Sequence, residues 1–177
     1  MSKCLKKMLI VCLAGWCVIA AAGSVCAASP LEPTQNAFAR VAGKAMPAVV
    51  TICPMKYDGG GYRENGCGSG FLITSDGYIV TNFHVIDGAD ALRVKLATGE
   101  TVLCKLTGTS PNTDLAVLKV NTGRALPYLK FADTSSVKVG HYAIAIGAPF
   151  ALSQTMTTGI VSQKGRSLGL HYREDYI

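Results

Sequence analysis

A histidine and an aspartate in this sequence have the settings that proton-transfer chemistry requires. His84 lies in the segment Thr-Asn-Phe-His-Val (81–85), where a strand-like run ends, and Asp114 directly precedes the apolar run 115–118. A carboxylate at the mouth of a strand is costly to bury unless it accepts hydrogen bonds, and an imidazole Nδ1–H is a suitable donor. In such a pair the aspartate fixes the histidine tautomer while Nε2 removes a proton from a nucleophile. For His84 taken alone, the alternative is a structural role at the end of a strand.

The other histidines and the nearby aspartates have ordinary explanations. Histidines beside charged residues or at the start of a strand are typical of surfaces, and aspartates in polar turns commonly cap or shape the backbone. The residues interpreted in this way are His141, His171, Asp76, Asp87 and Asp90. The candidate catalytic residues are therefore His84 and Asp114.

The elements that must position these two side chains are short strands broken by turns. From Pro47 onward, apolar and β-branched runs alternate with turns that contain glycine. Two of these turns, Ser-Asp-Gly (75–77) and Thr-Gly-Glu (98–100), are predicted hairpin connections in which glycine supplies a positive φ. The stretch 54–66 is predicted to be a loop, and helix is predicted for 34–44 and for one turn after His84. The pattern is typical of an antiparallel barrel or sandwich.

The first 27 residues differ in character from the rest of the chain. Lys3, Lys6 and Lys7 precede a mostly apolar run, 8–22, which small residues follow. This arrangement, with a small-x-small site at Val-Cys-Ala (25–27), predicts a cleaved secretory signal peptide over 1–27. An uncleaved membrane anchor is the alternative, because no charge occurs between Lys7 and Glu32.

Composition excludes two classes of protein. The chain has 177 residues, of which 49% are hydrophobic and 16% charged, so it does not have the composition of a disordered chain. Its lysines and arginines are spread singly from Arg40 onward and form no basic patch. No nucleic-acid partner is therefore expected.

The cysteines suggest one disulfide. Cleavage after residue 27 would leave Cys53, Cys67 and Cys104 in an exported chain. Cys53 and Cys67 bracket the Gly-rich loop between two strand-like runs, which makes them the candidate pair. The alternative is that all three cysteines are reduced and buried.

Four motifs in a fixed order carry a family resemblance. They are Gly-Ser-Gly-Phe-Leu-Ile (68–73), Asp-Gly-Tyr-Ile-Val-Thr-Asn-Phe-His-Val (76–85), Thr-Asp-Leu-Ala-Val-Leu (113–118) and Thr-Gly-Ile-Val-Ser (158–162). Together they resemble the protease domain of the HtrA (Do-like, DegP-type) serine endopeptidases. The resemblance covers roughly Pro47 to Ile177, and the ordered set is far more specific than any one motif.

The resemblance implies an all-β, trypsin-like (chymotrypsin-fold) double β-barrel, with His84 as general base and Asp114 as its orienting acid. The expected organisation is an N-terminal segment over 28–46, a complete first barrel over 47–130 and the start of a second, truncated barrel over 131–177. Family members act on unfolded or damaged proteins in the bacterial envelope, so a periplasmic location is expected, with no stable membrane anchor after signal cleavage. They commonly form trimers, and neither a metal nor an organic cofactor is expected.

The nucleophile of this family is the serine of Gly-Asn-Ser-Gly-Gly, and no such motif occurs among the 177 residues. The serines after Asp114 lack this pattern: Ser135, Ser136, Ser153, Ser162 and Ser167. Cys67 carries no oxyanion-hole signature that would make it a substitute. The expectation is an N-terminal fragment of an endopeptidase that is inactive alone. The alternative is a non-catalytic module that binds unfolded envelope proteins or co-assembles with a full-length relative.

Overall fold

The computed structural model describes residues 31–148 and 154–165. The predicted signal peptide (1–27), His171, Ser153 and Ser167 lie outside these ranges. Among the described residues, no helix is both long and apolar enough to cross a membrane.

A helix precedes the strands. Helix α1 (Glu32–Ala45) has Pro33 in its first turn, where a missing N–H leaves no intrahelical bond unmade, and Lys44 in its last turn, where a cation suits the helix dipole. No residue of α1 is buried, although the Phe38 ring packs edge-on against Tyr142 with 5.4 Å between ring centroids. The helix predicted over 34–44 is therefore present and slightly longer.

Six antiparallel strands close into a barrel. They are β1 (Val49–Tyr57), β3 (Gly68–Leu72), β4 (Tyr78–Asn82), β5 (Ala91–Lys95), β6 (Thr101–Ser110) and β7 (Leu115–Lys119). They pair in the order β1-β3-β4-β7-β6-β5, and β5 returns to β1, so the barrel strands have no free edge over their paired lengths. A short strand, β2 (Tyr62–Glu64), pairs with the end of β1. The prediction of an all-β fold with a complete first barrel is confirmed.

The barrel core follows from the alternation of side chains along the strands. In β4, β5 and β7 alternate residues are buried, because successive side chains of a strand point to opposite faces. The most deeply buried large side chains are apolar and mostly branched: Val50, Ile52, Leu72, Ile79, Val94, Leu118 and Val120. This core fixes the ends of the strands from which the candidate site is built.

The predicted loop over 54–66 is wrong in part. Strand β1 continues through Pro54 to Tyr57, and β2 lies within the rest of the stretch. Pro54 stands opposite Leu92 of β5, and its carbonyl accepts a 2.8 Å hydrogen bond from the Asn65 N–H. The missing Pro54 N–H lies on the same side of the strand as this carbonyl, away from β5, so the pairing of β1 with β5 loses no hydrogen bond there.

After the barrel, the described residues form one two-stranded sheet. Strand β8 (Tyr142–Gly147) pairs antiparallel with β9 (Thr155–Ile160). The Ala148 N–H donates to the Ser69 hydroxyl at 2.8 Å, and the Gln154 amide donates to the Val49 carbonyl at 2.7 Å. These bonds attach the two-stranded sheet to the barrel near the start of β1 and of β3.

Candidate active site

The pairing of β4 with β7 brings the two candidate catalytic residues together. Strand β4 ends at Asn82, which lies opposite Leu115, the first residue of β7. His84 follows β4 in a single helical turn, α2 (Phe83–Ile86), and Asp114 immediately precedes β7. Because the strands are antiparallel, the end of one meets the beginning of the other. The helical turn begins at Phe83, so His84 lies within the turn that the sequence predicted to come after it.

The His84 imidazole and the Asp114 carboxylate are in direct contact. His84 Nδ1 lies 2.7 Å from Asp114 Oδ2, and the backbone N–H of His84 donates to Oδ1 at 2.9 Å. An ionised carboxylate only accepts hydrogen bonds, so this contact requires the Nδ1–H tautomer of the His84 ring when Asp114 is ionised. Two bonds to one carboxylate thus fix both the backbone and the ring of His84.

The two side chains differ sharply in exposure. The Asp114 side chain is 14% exposed, whereas that of His84 is 71% exposed. With Nδ1 turned toward Asp114, Nε2 is the ring nitrogen left to act on an incoming group, and among the described residues it has no hydrogen-bond partner. The arrangement can therefore supply a general base with a fixed tautomer.

Asp114 has an uncommon backbone conformation. Its φ of 51° and ψ of 42° place it in the left-handed region, and it is the sole non-glycine residue with a positive φ within 31–148 and 154–165. It follows a 3₁₀ turn, Pro111–Thr113, and its N–H donates to the Pro111 carbonyl at 3.1 Å. Its own carbonyl accepts a 3.0 Å bond from the Phe83 N–H. Such conformations cost energy and persist where surrounding bonds enforce them, often at functional sites.

The helical turn that carries His84 rests on a glycine. A Cβ added to Gly68 would lie 2.6 Å from both methyl groups of Val85, so a larger residue there would displace the neighbour of His84. On the other side of the turn, Ile86 is buried in the barrel core. The Gly-Ser-Gly segment at the start of β3 therefore supports the site by close packing.

Sequence reasoning did not single out Asn82, which also contacts Asp114. Its side-chain amide donates to the Asp114 carbonyl at 3.2 Å and to Oδ2 at 3.1 Å. The available signal was its place two residues before His84 in the Thr-Asn-Phe-His-Val segment. That position does not predict which residue Asn82 contacts, because the contact depends on the register between β4 and β7.

The structure joins Cys53 and Cys67 by a disulfide, with 4.3 Å between their Cα atoms. A bonded Cys67 has no thiolate and so cannot serve as a nucleophile. The Glu64 carboxylate lies near the two sulfurs, but the sulfurs are bonded to each other and Glu64 pairs with Arg93. Burial raises the pKa of the third cysteine, Cys104, to about 11, so that thiol stays protonated near neutral pH.

An apolar cavity of about 490 Å³ lies at the end of β4 and the start of β7. Asn82 and Leu115 contribute to its lining, together with Phe71 of β3 and Ile144 of β8. The cavity therefore lies between the barrel and the two-stranded sheet, and its lining includes Asn82, which contacts Asp114, but neither His84 nor Asp114.

Comparisons with known proteins show which family the chain resembles. The family model described as "Trypsin-like peptidase domain" matches residues 68–177. A probable periplasmic serine endoprotease, DegP-like, from Bartonella henselae is 52% identical over 115 residues, which cover 65% of this chain and 23% of that protein. A protein of the same description from Rhizobium meliloti is 45% identical over 118 residues, or 67% of this chain and 23% of that protein. The matched part of the chain thus spans about a quarter of these relatives.

A solved structure is also similar. The HtrA-type protease AlgW, determined with a tripeptide, superposes with a TM-score of 0.71 at 37% identity, over 78% of this chain and 44% of that one. The chain belongs to the trypsin-like peptidase family and, within it, to the HtrA/DegP type, of which it matches the N-terminal part of the protease domain.

Proposed function

We propose that this chain provides the general base and its orienting carboxylate to an HtrA-type serine endopeptidase, with His84 as the base and Asp114 as the acid. The observation that carries the proposal is the 2.7 Å contact from Nδ1 to Oδ2, which leaves Nε2 of the largely exposed ring to act on a nucleophile. Relatives named periplasmic endoproteases and an N-terminal sequence typical of export support a periplasmic location and protein substrates.

In the proposed mechanism, Nε2 of His84 takes the proton from a serine hydroxyl as its oxygen attacks a peptide carbonyl. Asp114 stabilises the imidazolium that forms, and the same ring then returns the proton to the leaving amine. Asp114 stays ionised throughout, which its hydrogen bonds to the His84 N–H and ring support.

These 177 residues contain no Gly-Asn-Ser-Gly-Gly motif, so we assign the serine and the oxyanion hole of the proposed peptidase to other sequence. We therefore propose that the chain by itself does not hydrolyse peptides. A non-catalytic role in binding unfolded envelope proteins is the alternative, and it does not require a histidine and an aspartate in triad geometry.

A chimera tests the proposal. The chain is extended beyond Ile177 with the sequence that follows the matched segment in the DegP-like protease of Bartonella henselae. We expect the chimera to degrade casein and His84→Ala to remove that activity by about 10⁶-fold in kcat. The matched control is His141→Ala, an exposed histidine near β8, which should retain activity.

The two outcomes separate the functions. If His84→Ala loses activity and His141→Ala keeps it, the proposed peptidase function is supported. A folded chimera without activity, or one whose activity survives His84→Ala, contradicts the proposed base and favours the binding module.

A further inference from the structure

One side chain beside the His84–Asp114 pair has hydrogen bonds that its position in the chain does not explain. Asn82 occupies the N-cap position of α2, with φ −79° and ψ 147°. An asparagine there commonly accepts a bond from a backbone N–H of the first turn, yet the Asn82 side chain makes no such bond. Its amide is directed across the barrel end to Asp114 instead.

The chemistry of the two acceptors fixes the orientation of this amide. The Asp114 backbone carbonyl and carboxylate oxygen can only accept hydrogen bonds. The Asn82 Nδ2 group, with two N–H donors, lies 3.2 Å from the first and 3.1 Å from the second. One amide group therefore holds both the backbone and the side chain of the same aspartate.

The two acceptors of the Asn82 amide are atoms whose positions matter for the contact with His84. The carbonyl belongs to the residue whose left-handed backbone is the sole non-glycine case in the described part of the chain. The carboxylate oxygen, Oδ2, is the atom that contacts His84 Nδ1. An amide in this place restrains the carboxylate from rotating away from the imidazole.

We infer that Asn82 is a positioning residue for the proposed catalytic pair: it holds Asp114 so that Oδ2 accepts the His84 Nδ1–H. This inference rests on the proposed function for its significance in catalysis. The positioning itself is a property of the chain alone, and it is measured without any cleavage reaction.

The test is the tautomer of the His84 ring, read by nitrogen-15 NMR on the full chain at mildly alkaline pH. In the unaltered chain we expect the Nδ1–H form to dominate. In Asn82→Ala, loss of a bond to a charged acceptor should lower the ratio of the Nδ1–H to the Nε2–H form by about tenfold. A purely structural role would leave this ratio unchanged in the folded protein.

Two further variants make the result specific. Asn82→Ser keeps a good helix N-cap, but its side chain ends one atom short of the amide nitrogen, so the tautomer ratio should fall as it does in Asn82→Ala. This variant provides the test if Asn82→Ala does not fold. Asn112→Ala removes an exposed asparagine from the turn before Asp114 and should keep the ratio of the unaltered chain.

An unchanged ratio in a folded Asn82→Ala or Asn82→Ser chain overturns the inference. Failure of the proposed function would be seen separately, as an inactive chimera whose His84 still shows the Nδ1–H form.

Discussion

At the scale of single residues, Asp114 sets the state of the proposed base. In the casein-cleaving chimera, Asp114→Asn should keep the positions of the two side chains. The new amide N–H can donate to His84 Nδ1, which would place the ring proton on Nε2 and prevent Nε2 from acting as a base. We expect kcat to fall by about 10⁴-fold with a much smaller change in KM. Steady-state kinetics with a peptide substrate measure both constants.

The control for this substitution is Asp87→Asn, at an exposed aspartate directly after α2. It should leave kcat within about twofold of the parent, since an exposed side chain that contacts neither His84 nor Asp114 has little effect when it is replaced. Equal losses in Asp87→Asn and Asp114→Asn would contradict a specific role for Asp114.

The sequence predicted which two side chains to examine, and the structure places them in contact, while their catalytic role stays a prediction. The local signals were a histidine at the end of a strand and a carboxylate at the beginning of another. Asn82 and the left-handed backbone of Asp114 were not predicted. Both depend on which residues β4 and β7 place opposite each other, and a single sequence does not show that register.

At the scale of elements, the disulfide closes the β1–β2 hairpin at its base. Cys53 and Cys67 are 14 residues apart in the sequence. A disulfide that closes a loop of this length lowers the entropy of the unfolded chain and so stabilises the fold by about 3 kcal/mol. The double variant Cys53→Ser with Cys67→Ser should lose stability of this order in urea unfolding. A dithiol reductant should destabilise the unaltered chain similarly and leave the double variant unaffected, so sensitivity of that variant to reductant would count against the expectation.

The turn between β3 and β4 requires glycine for two reasons. Gly77 has a φ of 101°, and an added Cβ would lie 2.5 Å from the Val120 carbonyl oxygen. Gly99, in the turn between β5 and β6, has a φ of 87° and no atom within 4 Å of an added Cβ. Gly99→Ala should therefore cost about 1–2 kcal/mol for the left-handed backbone alone.

Gly77→Ala should cost measurably more than Gly99→Ala, because Val120 must move as well. Urea unfolding of the two variants side by side gives the comparison. Equal losses would show that the contact with Val120 relaxes freely.

The strands could be predicted from alternating apolar residues and glycine turns, but their bounds could not. The Gly-Ser-Gly segment is loop-like by composition, yet it forms the start of β3 because its small residues let Ile52 and Val85 pack closely over them. Pro54 similarly predicts the end of a strand. It lies inside β1 because its missing N–H faces away from β5, with which β1 pairs at this position.

At the scale of the whole molecule, the barrel and the two-stranded sheet differ in how well they are covered. The barrel has a continuous buried core, whereas Val139, Tyr142 and Ile160 around β8 and β9 are more than half exposed. An isolated two-stranded sheet is marginally stable. We expect limited proteolysis of the chain to cut first between Asp133 and β9 and to leave the barrel intact. Mass spectrometry would identify the product, and protection through β9 would contradict the expectation.

The proposed role of His84 is to activate a serine whose Gly-Asn-Ser-Gly-Gly motif is absent from these 177 residues. It is tested most directly by covalent labelling with a fluorophosphonate, which reacts with activated serines. The proposed role predicts no labelling of the chain alone, rapid labelling of the chimera at the Gly-Asn-Ser-Gly-Gly serine expected in the added segment, and loss of that labelling in His84→Ala but not in His141→Ala. Labelling of the chain alone, or labelling of the chimera at an unchanged rate in His84→Ala, would contradict it.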